Sequence, residues 1–299
     1  MTTAPSFQCG HVAIIGFPNV GKSTLLNRLV GEDLAITSPK PQTTRRPLLG
    51  ILNLPQAQLL FLDTPGILEP KGPLNTALVQ SAMAVLGDAD VVVWLVEPRR
   101  LPEADLVLLP ALRRLTCPII VAINKIDRAA KGDLLPLMAQ YHNVFPQAPI
   151  VPVSALLGDG VDVLLEEIVK LLPAAPALYP EDHLTDQTER QLVAELIRQR
   201  LLNHLGEEVP HAVAVAIEEF DESQRPNLVR IRAMIFVEKQ SQKGIVIGKQ
   251  GRVLKTVGQE ARADIEALLD ARVFLDLWVK VWKNWRRDPR ALRQLGLSR

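Results

Sequence analysis

Short apolar runs alternate with longer, helix-like stretches over about the first 172 residues of the chain. These runs are rich in β-branched residues and have the length of buried strands; they lie at residues 11–15, 59–62, 91–96, 119–123 and 150–153. Strands that alternate with helices favour a mostly parallel sheet with helices on both faces. We therefore predict an α/β fold for this part of the chain.

A proline-rich segment follows this pattern. Pro173, Pro176 and Pro180 lie close together, and proline breaks helices and favours extended backbone. The helix predicted to end near Leu172 therefore stops here. We predict a first domain over residues 1–172, an extended linker over 173–185 and a second domain over 186–299.

The second domain has a different order of elements. The spacing of Asp186 and Glu189 is that of a capping box and predicts a helix to about Leu205. Strand-like runs lie at residues 212–218, 228–237 and 272–282, and helical segments flank residues 248–251. The resulting order, αββααβ, predicts a smaller α+β domain.

Composition narrows the class of protein. The 299 residues include 34 Lys and Arg against 33 Asp and Glu, a balance that excludes a uniformly basic nucleic-acid coat. The longest apolar run, residues 91–96, is too short to cross a membrane, and the N-terminus lacks a signal-peptide pattern. Cys9 and Cys117 have no partnering pattern, so we expect reduced thiols and a cytoplasmic protein.

The strongest motif is a phosphate-binding loop that follows the first predicted strand and precedes a predicted helix. It reads GxxxxGKS, and its predicted nucleotide contacts are Gly16, Asn19, Val20, Gly21, Lys22, Ser23 and Thr24. In this context the glycines let backbone amides cradle phosphates, Lys22 reaches the outer phosphates, and the Ser23 hydroxyl ligates Mg²⁺.

Three shorter motifs identify the nucleotide. They lie where predicted strands end, at Asp63, Thr64, Pro65 and Gly66, at Asn124, Lys125 and Asp127, and at Ser154 and Ala155. A carboxylate at Asp63 suits Mg²⁺, and Asp127 can accept hydrogen bonds from guanine N1 and N2, which adenine does not offer. Each motif alone is also a plausible turn. In this order behind a phosphate-binding loop, they predict GTP and GDP as ligands.

The second domain contains a GxxG loop between two predicted helices. Gly248 and Gly251 enclose Lys249 and Gln250, and Arg252 and Lys255 follow. Such a loop lets an RNA backbone approach closely while the cations neutralise its phosphates.

Trp278, Trp282 and Trp285 suggest base stacking, but packing of Trp278 and Trp282 on a helix is the favoured alternative. Residues 239–299 carry 14 basic and 6 acidic side chains, which supports an RNA-binding end.

These motifs resemble those of the Era family, within the translation-factor class of P-loop GTPases. Residues 41–45, Pro-Gln-Thr-Thr-Arg, resemble the first switch of that family, and αββααβ resembles a type II KH domain. The resemblance implies that Thr44 closes on Mg²⁺ and the terminal phosphate, with Lys22, Thr44 and Gly66 in catalytic roles. Pro47, in the strand expected beside the switch, and Leu68, where relatives often have histidine, depart from the pattern.

The resemblance also implies partners. It implies binding near the 3′ end of 16S ribosomal RNA, assistance to assembly of the 30S subunit, and a cytoplasmic protein partly associated with the inner face of the cell membrane. We expect a monomer. The alternative is an RNA-binding assembly scaffold in which GTP is a structural ligand. A tRNA-modifying GTPase fits poorly, because the chain lacks the extra catalytic domain of such proteins.

Two further residues bear on the rate of hydrolysis. Ile67 stands where Ras-like enzymes have a glutamine that orients water, so we expect slow intrinsic turnover. Asn19 stands where related GTPases help to bind K⁺, and we hypothesise activation by K⁺. The alternative that Asn19 only shapes the loop stays open.

Overall fold

The computed structural model describes residues 7–37, 44–66, 72–99, 108–206, 209–225 and 227–297. It divides into two compact units, the second of which contains Gln187 and the residues that follow it. The prolines of the predicted linker belong to the first unit. Each unit has a hydrophobic core of its own.

The first unit is built on a sheet whose described strands follow the order β2-β3-β1-β4-β5-β6. These strands are β1 (Gln8–Ile15), β2 (Leu48–Leu54), β3 (Ala57–Asp63), β4 (Val91–Val96), β5 (Ile119–Ile123) and β6 (Ile150–Pro152). All neighbouring pairs are parallel except β2 and β3. The mostly parallel sheet is thus confirmed, and β2, which directly follows Pro47, is an antiparallel edge strand outside the five predicted runs.

Helices cover both faces of this sheet. They are α1 (Lys22–Val30), α2 (Pro73–Gly87), α3 (Leu109–Leu112), α4 (Lys131–Val144) and α5 (Val161–Leu171). Alternate residues of β1 lie in different cores: Ile14 packs with residues of α1 and α5, whereas Ile15 packs with residues of α2, α3 and α4. A strand buried on both faces has no polar side, which explains the continuous apolar run over residues 12–15 of β1.

The second unit contains α6 (Glu189–His204), β7 (Ala214–Arg225), β8 (Leu228–Val237), α7 (Gln240–Ile247), α8 (Arg252–Leu269), β9 (Arg272–Val281) and α9 (Pro289–Gln294). The predicted order αββααβ is confirmed, and α9 is an addition that the pattern did not predict. Strand β8 pairs antiparallel with β7 and parallel with β9.

The start of α6 corrects one prediction. The capping residue is Thr188, which forms a capping box with Gln191, so the helix does not use the pair Asp186 and Glu189. The Gln191 side chain accepts a hydrogen bond from the Thr188 backbone amide at 2.9 Å. Threonine and glutamine at this spacing are a standard capping pair, and they lie two residues further along the chain than the predicted pair.

Candidate functional site

The loop between β1 and α1 needs glycine at both ends. Gly16 and Gly21 have positive φ values of 151° and 104°. A Cβ atom on Gly16 would lie 2.4 Å from the carbonyl oxygen of Leu95, and one on Gly21 would lie 2.3 Å from Asn124 Nδ2. Only glycine fits such close approaches, so the loop wraps tightly in front of α1, as a phosphate cradle requires.

Lys22 begins α1 and is buried. Its ammonium donates hydrogen bonds to the carbonyl oxygens of Gly16 at 3.1 Å and Phe17 at 2.8 Å, which holds Nζ across the loop. Burial lowers the pKa of Lys22 to about 8, and the charge of Asp63 opposes that shift. The Lys22 ammonium therefore lies across the loop. Phosphate oxygens of a bound nucleotide would replace the two carbonyl oxygens as its hydrogen-bond acceptors. Thr24 lies half-buried in the helix, two residues after Lys22.

Three residues from separate parts of the chain meet beside this lysine. Ser23 Oγ donates to Asp63 Oδ2 at 2.7 Å, Thr44 Oγ1 donates to the same oxygen at 3.0 Å, and the two hydroxyls are 3.0 Å apart. Asp63 Oδ1 is buried and has no hydrogen-bond partner within the described parts of the chain. Burial raises the pKa of Asp63, opposed by Lys22 and by the hydrogen bonds of Ser23 and Thr44. The predicted metal-binding residues are thus already assembled.

The residues after Asp63 lie against the phosphate-binding loop. Thr64 Oγ1 donates to the carbonyl oxygen of Ile14 at 2.9 Å, and Pro65 is buried. Gly66 approaches Pro18 so closely that a Cβ atom there would lie 2.9 Å from the Pro18 nitrogen. The predictions made for residues 41–43, Ile67 and Leu68 fall outside the described residues.

The asparagine at the end of β5 joins three segments. Asn124 Nδ2 donates to the carbonyl oxygen of Val20 at 2.7 Å, and Asn124 Oδ1 accepts from the amide of Ala155 at 2.9 Å. The backbone amide of Asn124 donates to the carbonyl oxygen of Val96 at 2.8 Å. The amide of Ala155, one of the predicted nucleotide contacts, is thus engaged with Asn124 in this structure.

The predicted base-reading carboxylate is also held in place. Asp127 Oδ1 accepts a hydrogen bond from Ser154 Oγ at 2.7 Å. Lys125 has a left-handed backbone with φ 62°, and its ammonium donates to the carbonyl oxygen of Asn19 and to Glu97 Oε1, both at 2.5 Å. The structure thereby brings all three predicted nucleotide motifs to one edge of the sheet, beside the phosphate-binding loop.

Two residues of this site were not predicted from the sequence. Glu97 directly follows β4 and forms an ion pair with Lys125, and its position at the carboxyl end of a parallel strand was a usable signal. Arg28, on α1, donates to the carbonyl oxygens of Ala155 and Leu156. An arginine in the last turn of a helix has many possible hydrogen-bond partners. The sequence therefore offers no indication that Arg28 belongs to this site.

The second unit presents the predicted GxxG loop between α7 and α8. Gly248, Gln250 and Gly251 have positive φ values, and a Cβ atom on Gly248 would lie 2.5 Å from Val253 Cγ2. Helix α8 begins immediately afterwards at Arg252. The side chains of Lys249, Gln250, Arg252 and Lys255 are exposed. The loop is thus a tight turn whose neighbouring cations reach solvent and are accessible to phosphates.

The tryptophans do not form one surface. Trp285 is fully buried and donates from Nε1 to the carbonyl oxygen of Ala212 at 3.0 Å, so it is not a stacking residue. Trp282 contacts Phe236 edge to face with ring centroids 5.1 Å apart. Trp278 is 57% exposed, so it is not buried against a helix as the favoured alternative requires. Its partner is Asp276, which accepts the indole hydrogen bond at 2.8 Å.

The described parts of the chain contain no helix long and apolar enough to cross a membrane. They also contain no cluster of three or more His, Cys, Asp or Glu side chains arranged to hold a metal ion. Cys9 and Cys117 are free thiols whose pKa values are raised by burial.

Taken together, the loop before α1, the motifs at the sheet edge and the GxxG unit define a P-loop GTPase joined to a KH domain. Family models agree: one described as a 50S ribosome-binding GTPase matches residues 11–125, and one described as a KH domain matches residues 208–286.

Comparison with whole proteins identifies the family. The chain is 47% identical over 293 residues to GTPase Era of Geobacter metallireducens, and 45% identical over 291 residues to GTPase Era of Pseudomonas aeruginosa. The first alignment covers 98% of both chains, and the second covers 97% of this chain and 95% of the relative. The chain therefore belongs to the Era family of GTPases, which hydrolyse GTP to GDP and phosphate.

Two solved structures share the whole fold. One is Era in complex with MgGDPNP and nucleotides 1506–1542 of 16S ribosomal RNA, and the other is Aquifex aeolicus Era bound to GDP·AlF4⁻. Each matches with a TM-score of 0.95 at 42% identity and covers 98% of this chain and 100% of the solved chain.

Proposed function

We propose that this GTPase is a switch that binds 16S ribosomal RNA near its 3′ end and assists assembly of the 30S ribosomal subunit. The observation that carries the proposal is the junction of Ser23, Thr44 and Asp63, because it ties the switch residue Thr44 to the phosphate-binding loop. The Era structure with bound RNA supports the choice of RNA partner.

In the proposed site, each motif has a separate task. The amides of the loop between Gly16 and Ser23 bind phosphates, and Lys22 neutralises their outer charge. Asp127 binds the guanine edge, oriented by the Ser154 hydroxyl at 2.7 Å. Asn124 joins the loop that binds phosphate to the loop that surrounds the base. We assign these tasks to a domain over residues 1–172, and RNA binding to residues 186–299.

The same junction fits Mg²⁺. Asp63 Oδ1 is a buried carboxylate oxygen that lacks a partner among the described residues, and the Ser23 and Thr44 hydroxyls lie beside it. Oxygen donors of this kind are those that Mg²⁺ prefers. When bound, the ion would neutralise charge on the phosphate oxygens; Ser23, Thr44 and Asp63 would hold it.

The proposed hydrolysis depends on positioning and electrostatics. Lys22 and the loop amides stabilise charge that develops on the transferred phosphoryl group, and Gly66 offers a backbone amide close to Pro18. Because the Ile67 side chain has no hydrogen-bonding group to orient water, we expect slow GTP turnover by the isolated protein.

We further propose that K⁺ beside Asn19 supplies additional positive charge at the phosphates. Equal rates of GTP turnover in K⁺ and in Na⁺ would refute this.

In the second unit, the GxxG loop is the proposed contact with single-stranded RNA. Gly248 and Gly251 form its tight turn, and Lys249, Arg252 and Lys255 are exposed and make no ion pair within the described residues. Cations without ion-pair partners, next to a loop that an RNA backbone can approach closely, are suited to binding phosphates.

We also propose that the protein is monomeric and cytoplasmic, with partial association with the inner face of the cell membrane.

The deciding experiment measures RNA affinity with a non-hydrolysable GTP analogue, with GDP and without nucleotide, at one fixed salt concentration. A switch predicts affinities that differ between nucleotide states, because a ligand shifts an equilibrium only through its differential binding. Equal affinities in all three states would instead support the scaffold, in which GTP is a structural ligand.

A further inference from the structure

The chain ends the second unit with an ordered segment, residues 282–295, which we call the C-terminal cap. Trp285 is fully buried and bonded to Ala212, and Leu292 is buried as well. Asp288 caps α9 by accepting a hydrogen bond from the amide of Arg290 at 2.9 Å. The cap is therefore a folded part of the second unit, anchored by Trp285.

Four cations of the cap have no acidic partner. Lys283, Arg287, Arg290 and Arg293 are exposed and form no ion pair with any residue that the structure describes. Arg290 and Arg293 are three residues apart on α9, so they share its exposed face. The only other cation of the cap among its described residues, Arg286, pairs with Glu238.

Helix α7 connects the cap to the GxxG loop. The amide of Trp282 donates to the carbonyl oxygen of Val237 at 2.8 Å, and Arg286 pairs with Glu238, so the cap lies at the beginning of α7. Gly248 lies at its end. The eight residues of α7 span about 12 Å at 1.5 Å per residue.

We infer that the C-terminal cap extends the RNA-binding surface, with Lys283, Arg287, Arg290 and Arg293 contacting phosphates of nucleotides that flank those at the GxxG loop. This inference rests on the proposed function. The GxxG loop and the cap are separated along α7 by only about 12 Å, so one RNA strand can contact both. Arg287, Arg290 and Arg293 also lie beyond residue 286, where the match to the KH model ends.

The chemistry of the cap favours RNA over a lipid surface. Peripheral binding to a membrane normally combines basic residues with apolar side chains that enter the headgroup region. The large apolar residues Trp285, Leu292 and Leu295 are buried within the unit. Trp282, the remaining large apolar residue of the cap, is half-buried against Phe236. The cap therefore presents mainly charge, which suits a phosphate backbone.

The test uses the full chain with Arg287, Arg290 and Arg293 all changed to Gln. A matched variant changes Arg113, Arg114 and Lys131, three exposed cations of the first unit, to Gln. Two RNAs are compared at salt concentrations between about 50 and 200 mM. One is the segment corresponding to nucleotides 1506–1542, and the other is a single strand of about four nucleotides, the number that a GxxG loop clamps. Thermal melting and GDP affinity verify that each variant is folded.

For the long RNA, the cap variant should bind about tenfold more weakly, with a salt slope shallower by about 1 for each phosphate that the variant no longer neutralises. Its affinity for the short RNA should match that of the unmodified protein, and the control variant should behave normally with both. An unchanged slope, or equal weakening for both RNAs, would overturn the inference.

Two other outcomes separate this inference from its alternatives. If the unmodified protein binds neither RNA, the proposed function fails and the inference fails with it. If the cap variant retains normal RNA binding but no longer binds phosphatidylglycerol vesicles, the cap is a lipid-binding surface and the inference is wrong.

Discussion

In the proposed switch, Thr44 is the residue through which the state of the nucleotide reaches the rest of the chain. Its hydroxyl is within 3.0 Å of both Ser23 Oγ and Asp63 Oδ2. A hydroxyl at this position can bind the metal ion and the γ-phosphate region only while both are present, which is the usual basis of a GTPase switch.

We therefore predict that Thr44→Val slows GTP hydrolysis at least about tenfold while GDP affinity stays within about twofold, because valine keeps the shape and removes the hydroxyl. Single-turnover hydrolysis and fluorescent GDP titration measure the two quantities. Thr44→Ser, which retains the hydroxyl, is the matched control and should keep most of the activity. Equal rates for the valine and serine variants would argue against this role.

Glu97 forms an ion pair with Lys125, one of the proposed nucleotide contacts. The Lys125 ammonium bridges Glu97 and the carbonyl oxygen of Asn19, so the ion pair fixes the base-reading segment to the phosphate-binding loop. Both side chains are about one quarter exposed, which makes the pair stronger than one at an open surface.

We predict that Glu97→Gln accelerates GDP dissociation about three- to tenfold, corresponding to about 1 kcal/mol, and leaves single-turnover hydrolysis unchanged. Stopped-flow displacement of a fluorescent GDP measures the rate. In a Lys125→Ala background the same substitution should add almost nothing, since the residue through which Glu97 acts is gone. Fully additive effects would show that Glu97 acts by another route.

At the scale of elements, the periodicity of the sequence predicts most strands well. Strand β8 occupies residues 228–237, as predicted, because alternating apolar residues and arginines mark one buried face. Strand β2 is not among the predicted apolar runs, because its Leu-Leu-Gly-Ile-Leu-Asn-Leu sequence has a single β-branched residue and does not alternate. Only the family resemblance indicated a strand there, and pairing with β3 stabilises it. Helix α9 was missed because only six residues form it, stabilised by tertiary burial of Ala291 and Leu292.

Much of the functional site could be predicted for a similar reason. Glycine-dependent turns and strand ends depend on local sequence, so the loop of Gly16 to Ser23 was found directly. The bond between Asn124 and Ala155 and the ion pair of Glu97 with Lys125 depend on which strands are neighbours. The order of strands in the sheet is set by tertiary packing, and the spacing of residues along the chain does not reveal it.

The segment predicted as an extended linker is hydrogen-bonded to the first unit at several points, and one buried side chain makes three of these bonds. Gln58, fully buried on β3, accepts hydrogen bonds at Oε1 from the amides of Leu178 and Tyr179 at 2.7 and 2.9 Å. Its Nε2 donates to the carbonyl oxygen of Tyr179 at 2.8 Å. Gln58 thus provides hydrogen-bond partners for the backbone groups of Leu178 and Tyr179 in the proline-rich segment.

We predict that Gln58→Leu lowers the free energy of unfolding of the first unit by about 2–3 kcal/mol, because the linker amides lose their buried acceptor. Chemical denaturation followed by tryptophan fluorescence measures the change. Gln56→Leu alters an exposed side chain two residues away and should change stability by less than about 0.5 kcal/mol. Similar small effects of both substitutions would mean that Gln58 does not hold the linker.

At the scale of the whole molecule, the formal charge of +1 conceals an uneven distribution. Residues 1–172 carry 14 basic and 15 acidic side chains, and residues 173–238 carry 6 and 12, whereas residues 239–299 carry 14 and 6. The nucleotide-binding part is therefore almost neutral, and the positive charge is concentrated around the GxxG loop and the C-terminal cap. Such a division predicts that RNA binding and nucleotide binding can be removed separately.

The double variant Gly248→Asp with Gly251→Asp tests this division. Both glycines have positive φ values, and a Cβ atom on Gly248 would collide with Val253, so aspartate adds strain and negative charge where phosphates approach. We predict that RNA binding weakens at least about a hundredfold, measured by fluorescence anisotropy, with GDP affinity unchanged in parallel titrations. Lys131→Asp with Gly132→Asp places the same two aspartates at exposed positions of the first unit and should leave RNA affinity almost unchanged. Loss of both activities in the Gly248 and Gly251 variant would show that the two units are not independent modules.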